Sequence, residues 1–154
     1  MSQAPLGPWR PQGPFVVEAE TTFPNYLRHE NNVDYLKRHF SHLDPAIIDT
    51  PLSVNVRPSR NDESRFATEV ILIESGKLGQ ILFNSPSWEE FRRRFPGSRI
   101  AITLSNVAFN DERTTAMIYW DYICGGLCGE GLLTQLDLVD GRWMIQKTLL
   151  LWIS

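Results

Sequence analysis

Apolar residues along this chain change their spacing several times, and each spacing predicts a different element. In residues 25–43, Val33, Leu36, Phe40 and Leu43 fall at i, i+3, i+7 and i+10, a single stripe of an amphipathic helix. Asn32 is placed to cap that stripe, which leaves residues 25–31 as a separate turn. Asp44-Pro45 closes the segment, because the residue before a proline avoids the α region. Leu52, Val54 and Val56 then alternate with polar neighbours, the period of a half-buried strand that Pro58 ends. Val70-Ile71-Leu72-Ile73 is a continuous apolar run and predicts a strand covered on both faces. Residues 76–83 read as a short helical turn. The clearest helix comes next: Ser87 and Glu90 make a capping box, Trp88, Phe91 and Phe95 line one side, and Pro96-Gly97 ends it.

Beyond Gly97 the period is that of strands. Ile100, Ile102 and Leu104 alternate, then Val107 and Phe109 take the opposite parity, which predicts a bulge near Ser105-Asn106. A turn over residues 110–113 leads to a strand over 116–123. After a glycine-rich connection, Leu132, Thr134, Leu136 and Leu138 mark a third strand. Asp140-Gly141 is a two-residue hairpin signal, and residues 143–153 supply the fourth strand. The expected fold class is α+β, with N-terminal helices packed on an antiparallel β-meander of four strands or more. Residues 1–15, with Pro5, Pro8, Pro11 and Pro14 in step, read as a disordered lead-in, and residues 16–154 as one domain.

Composition narrows the function classes. The 154 residues are 42% hydrophobic and 21% charged, enough apolar surface to offset chain entropy. A net charge of -3 gives no basic field for phosphate backbones, so nucleic acid is not an expected partner. No run approaches the roughly 20 apolar residues that cross a bilayer. As written, the sequence lacks a secretory signal and stays where it is made; if Met1 replaces a removed leader, the compartment is extracytoplasmic.

The most distinctive stretch is Cys124-Gly125-Gly126-Leu127-Cys128-Gly129-Glu130-Gly131. Four glycines here mean positive φ angles or close backbone approach. One reading is a wide hairpin loop with left-handed glycines and packed cysteines. A second is a disulfide: extended chain would hold the two cysteines about 13 Å apart. A bridge needs Cα atoms within about 7 Å, so the loop must curl. A reactive thiolate is a third reading, and needs a cation or helix N-terminus beside it. A metal site joining both cysteines to His39 and His42 is the fourth. As a binding surface, the loop offers Cys124, Gly125, Gly126, Leu127, Cys128, Gly129 and Gly131.

Asp121 interrupts the aromatic strand Tyr119-Trp120-Asp121-Tyr122. It could serve as a general base in a pocket with Tyr119 and Tyr122, but the strand parity is read as turning Asp121 to solvent while Trp120 and Tyr122 pack inward. The tryptophans are read as mostly core, with Trp152 sharing a face with Gln146 and Thr148. Arg92, Arg93, Arg94 and Arg99 form a basic cluster at a helix end. No motif assigns a catalytic residue, a metal ligand or a cofactor.

The pattern Ser105-x-Val107-x-Phe109-Asn110, then Cys-Gly-x-Leu-Cys-Gly-x-Gly from Cys124, Gly141-x-Trp143 and Trp152-Ile153-Ser154 resembles a family of uncharacterised bacterial proteins. The preceding Trp88, Phe91, Phe95 and Pro96 fit the same pattern. Many of its members look exported, which implies a Cys124–Cys128 disulfide; the resemblance carries no catalytic residues. More distantly, helices followed by a meander ending in Gly-x-Trp are similar to the NTF2-like, cystatin-like cone, which hosts both enzymes and binding modules. The expected function is a non-catalytic binding or interaction domain of accessory or immunity type, for a protein or small-molecule partner. The alternative is a small-molecule pocket enzyme of NTF2-like type.

Overall fold

The computed structural model describes residues 13–83 and 87–154. Most of the expected lead-in, and the Ser87 side chain with its expected capping box, lie outside the described residues. The elements in chain order are β1 (Phe15–Glu18), α1 (Glu30–His39), α2 (Pro45–Val54), β2 (Val70–Ile73), α3 (Lys77–Phe83), α4 (Ser87–Arg94), β3 (Ala101–Leu104), β4 (Ala108–Phe109), β5 (Thr115–Gly125), β6 (Cys128–Val139) and β7 (Arg142–Ile153). Short 3-10 turns occupy Asn25–Arg28 and Glu63–Arg65. The fold is α+β, with one seven-stranded sheet ordered β2-β1-β3-β5-β6-β7 and β4 beside β5.

The meander forms as sequential neighbours: β3 and β4 pair antiparallel with β5, β5 with β6, and β6 with β7. The Asp140-Gly141 turn takes φ of 50° and 75°, the double left-handed geometry that a two-residue hairpin requires. At the preceding turn the Asn110 side chain accepts hydrogen bonds from the Thr114 and Thr115 amides, and Arg113 takes φ 54°. The expected bulge is present as well. Leu104 opposes Trp120 and Ala108 opposes Met117, so β3–β4 carries one residue more than the β5 stretch it faces. Ser105 fills the gap in the ladder: its Oγ accepts from the Tyr119 amide at 2.9 Å. Asn106 turns outward and holds residues 54–57, accepting from Thr21 Oγ1 and donating to the Val54 and Arg57 carbonyls.

The N-terminal half corrects several expectations. Residues 52–56 are not a strand; Leu52 and Val54 belong to α2, which Asp44 caps by accepting from the Ala46 amide, with Pro45 in the first turn. Asp44-Pro45 therefore opens a helix as well as following one. Three alternating apolar residues were too short a run to outweigh Ile47, Ile48 and Pro51, which are buried on one side of α2. A separate turn does precede the helix, but α1 starts at Glu30 with His29 as its N-cap and ends at His39, before Phe40 and Leu43 of the expected stripe. Asn32, the expected cap, instead donates to the Tyr26 carbonyl. β2 is a strand but an edge strand, pairing in parallel with β1 alone, and only Ile73 in it is buried. β1 itself begins inside the segment read as lead-in, and sits between β2 and β3.

Paired residues on neighbouring strands project to the same side, so the register sorts the sheet into two faces. One face carries both apolar clusters. Met117, Tyr119 and Leu133 meet Phe23, Leu27, Leu36, Phe40, Ile47 and Ile48 from the 3-10 turn, α1 and α2. Val16, Ile73 and Ala101 meet Leu78, Ile81 and Phe91 from α3 and α4. The opposite face over β5–β7 presents half-buried Ile118, Trp120, Tyr122 and Leu136. Trp88 packs on the second cluster as expected, but Trp120 is only half-buried on the open face and Trp143 is exposed there, contrary to the strand-parity reading. No helix among the described residues is long and apolar enough to cross a membrane.

Candidate functional site

Between the two clusters, one row of residues crosses the helix-covered face. Val16 and Val17 of β1 pair with Ala101 and Ile102, so the next residue, Glu18, falls level with Thr103. Thr103 opposes Asp121, Asp121 opposes Gly131, and Gly131 opposes Trp152. The row therefore reads Glu18, Thr103, Asp121, Gly131, Trp152 from β1 to β7. Tyr119 stands two residues along β5, on the same face, 2% exposed. Asp121 does not point away from the core as expected; it lies with Tyr119, while Trp120 and Tyr122 stack together on the other face. The parity reading failed because it assumed that the aromatics marked the inside, whereas two stacked rings can cover each other on an open face.

The hydroxyl of Tyr119 donates to Asp121 Oδ2 at 2.8 Å and accepts from Trp152 Nε1 at 3.1 Å. Tyr26, on the 3-10 turn before α1, brings its hydroxyl to Tyr119. Burial pushes the Asp121 carboxyl above its ordinary value, against the hydrogen bonds from Tyr119 and Thr103. Glu18 is raised too, first by burial and then by the charge of Asp121, with the Gly76 amide opposing. Tyr119 is pushed far up, mainly by burial, so it stays a neutral donor. Neither carboxylate has a cationic partner among the described residues. The arrangement is a desolvated pair of carboxyls with phenolic and indole groups beside them.

The glycine–cysteine stretch contributes to this row from beneath. It is a tight hairpin, with only Gly126 and Leu127 between β5 and β6, and not a wide loop. None of its glycines has positive φ. Close approach explains two of them: a Cβ on Gly131 would overlap the indole of Trp152, and one on Gly129 would stand 2.9 Å from the Tyr122 carbonyl and 3.3 Å from that same indole. A register shift in β6–β7 between Gly131 and Leu132 takes up Leu151, which packs on the helix side, and releases Trp152 from the face expected for it. Cys124 and Cys128 stand with Cα atoms 5.1 Å apart and their sulfurs at bonding distance, across an irregularity between Ile123 and Gly125. The exposed tip is Gly126 and Leu127, Leu127 being 91% exposed.

The remaining candidates fall elsewhere. His42 hydrogen bonds to Gln135 Oε1 at 2.9 Å, and His39 bonds to the Tyr35 carbonyl, so the pair is engaged on α1 and at β6. No group of metal-binding side chains occurs among the described residues. Arg93 and Arg94 both pair with Glu90. Glu18, Thr103, Tyr26 and Trp152 were missed as site residues, since nothing in one sequence places four strands and a turn in register. No family model matches this chain, and no curated protein or solved structure matches it either.

Proposed function

We propose that this chain is a binding domain for a small molecule carrying a basic group, received at Asp121 and Glu18. The observation behind the reading is the inward carboxyl pair with no cation beside it. Two carboxylates taken partly out of water repel each other and lose hydration; a bound ammonium or guanidinium group relieves both costs at once. Tyr26 and Trp152 supply aromatic surface suited to an organic cation over a strongly hydrated metal ion. The sheet bulges at Ile123–Gly125 and in β6–β7 support a curved, cone-like sheet of the NTF2-like kind around this row. The exposed Gly126–Leu127 tip is the part of the hairpin left open to a protein partner.

The test uses methylammonium, tetramethylammonium and guanidinium as probes, with acetate as the anionic control, read by shifts of the Trp152 indole N–H resonance. Saturable shifts with the cations, lost in Asp121→Asn and strengthening as pH rises through the carboxyl range, support the assignment. Absence of any saturable shift, or equal shifts in Asp121→Asn, overturns it. A second reading, acid–base catalysis on the bound molecule, draws on the raised carboxyl of Asp121. It requires chemical change of a bound amine that Asp121→Asn abolishes; binding without turnover decides for the binding domain.

A further inference from the structure

The face of the sheet away from α1–α4 carries an apolar surface over β6 and β7 that nothing among the described residues covers. Leu138, Trp143, Ile145, Leu150 and Ile153 lie on this side by register, and Ile145 and Ile153 are 65% and 69% exposed. At about 150–250 Å² for a large apolar side chain, these five present on the order of 500 Å². The half-buried Ile118, Trp120, Tyr122 and Leu136 bring the patch to roughly 700 Å², above the few hundred Å² normal on a monomer. That is close to the ~800 Å² each partner gives to a stable protein interface.

We propose that two copies of this chain pack these faces together, sheet on sheet, about a two-fold axis. A two-fold axis brings each group near its own copy, so charges close to the axis would repel; an isologous patch must be nearly uncharged. This one meets the requirement. Its charged residue by register is Glu130, opposite Ile153 at the margin, and that carboxylate is engaged by the hydroxyl of Tyr122; at the other margin the Arg113 guanidinium is engaged over the Phe109 ring that packs on Trp143. At the middle, Thr134 and Thr148 satisfy each other at 3.2 Å, and Thr134 also accepts from the Trp120 indole at 3.0 Å, so these central polar groups are satisfied before burial. Two such sheets would stack about 10 Å apart with their strands near −30°. The carboxyl row lies on the other face of each copy and stays accessible.

Sedimentation equilibrium of the full chain from about 1 to about 100 µM tests this, a range that spans micromolar affinity. The expected result is a species of twice the 17.7 kDa chain mass. Ile145→Glu and, separately, Ile153→Lys should each weaken the dimer by at least about 100-fold while leaving the far-ultraviolet spectrum unchanged. Met144→Glu, on the adjacent but oppositely directed residue, should leave it intact. A wild-type chain that stays monomeric throughout overturns the proposal regardless of how the variants fold. So does a dimer that survives Ile145→Glu, or one lost equally with Met144→Glu.

Discussion

Gly131→Ala is the smallest change that probes the assembly around Asp121. The added methyl would occupy space now held by the five-membered ring of Trp152, with its Nε1 nearest. Since the methyl is fixed to the β6 backbone, the indole must move. Moving it breaks the Trp152–Tyr119 hydrogen bond, worth a net 0.5–1.5 kcal/mol as an order of magnitude. Forcing an extra carbon into the packed row adds roughly 1–3 kcal/mol. Together the loss is about 2–4 kcal/mol, which for a chain of this size lowers Tm by roughly 5–15 °C. Thermal melts by far-ultraviolet circular dichroism give the number, and a double-mutant cycle gives its cause. In a Trp152→Ala background the same methyl has nothing to collide with, so Gly131→Ala should cost under about 0.5 kcal/mol. An undiminished cost in that background refutes the account of why glycine stands at position 131. Gly126→Ala, where a Cβ meets nothing within 4 Å, is the expected neutral comparison.

Three further outcomes follow from the same geometry. The raised carboxyls of Asp121 and Glu18 hold more protons folded than unfolded, so stability from these groups is full at low pH and falls as pH rises from the unfolded values through the folded ones. Asp121→Asn should therefore raise Tm at neutral pH, flatten that decline, and change little at pH 3, as melts across pH will show. Replacing both cysteines by serine should lose about 2 kcal/mol, the chain-entropy value for so short a loop, measured by urea unfolding. Intact-mass measurement without reductant should show two hydrogens fewer than after reduction. Asp44→Ala removes the α2 cap and should cost about 1 kcal/mol without affecting probe binding at Asp121.

The C-terminal half was legible because its signals are local. Period-two alternation, Asp140-Gly141 and the parity switch at Ser105-Asn106 each depend on a few adjacent residues, and each element appeared where expected. The N-terminal half was not, because α2 and the strand expected at residues 52–56 share the same apolar residues, and tertiary burial of Ile47, Ile48 and Pro51 decides between them. β1 was hidden by its four-residue length and by the prolines before it; its place beside β3 comes from long-range parallel pairing that no local pattern records. At the site, Tyr119 and Asp121 were readable as candidates, but their direction was not. It depends on which alternate set of β5 residues the helices cover, and the stacked Trp120 and Tyr122 marked the open face, not the covered one. Trp152 shows a different limit: its neighbours in sequence suggested one face, and the register shift at Leu151 delivered it to the other.

The claim under the functional reading is that Asp121 and Glu18 share one partly desolvated row and that Glu18 feels the charge of Asp121. Carbon-detected titration of the Glu18 side-chain carboxyl, in the wild-type chain and in Asp121→Asn, measures this directly. The account predicts a midpoint above the ordinary glutamate value of 4.5 that moves down when Asp121 loses its charge. A midpoint at or below that value, unmoved by Asp121→Asn, would contradict it.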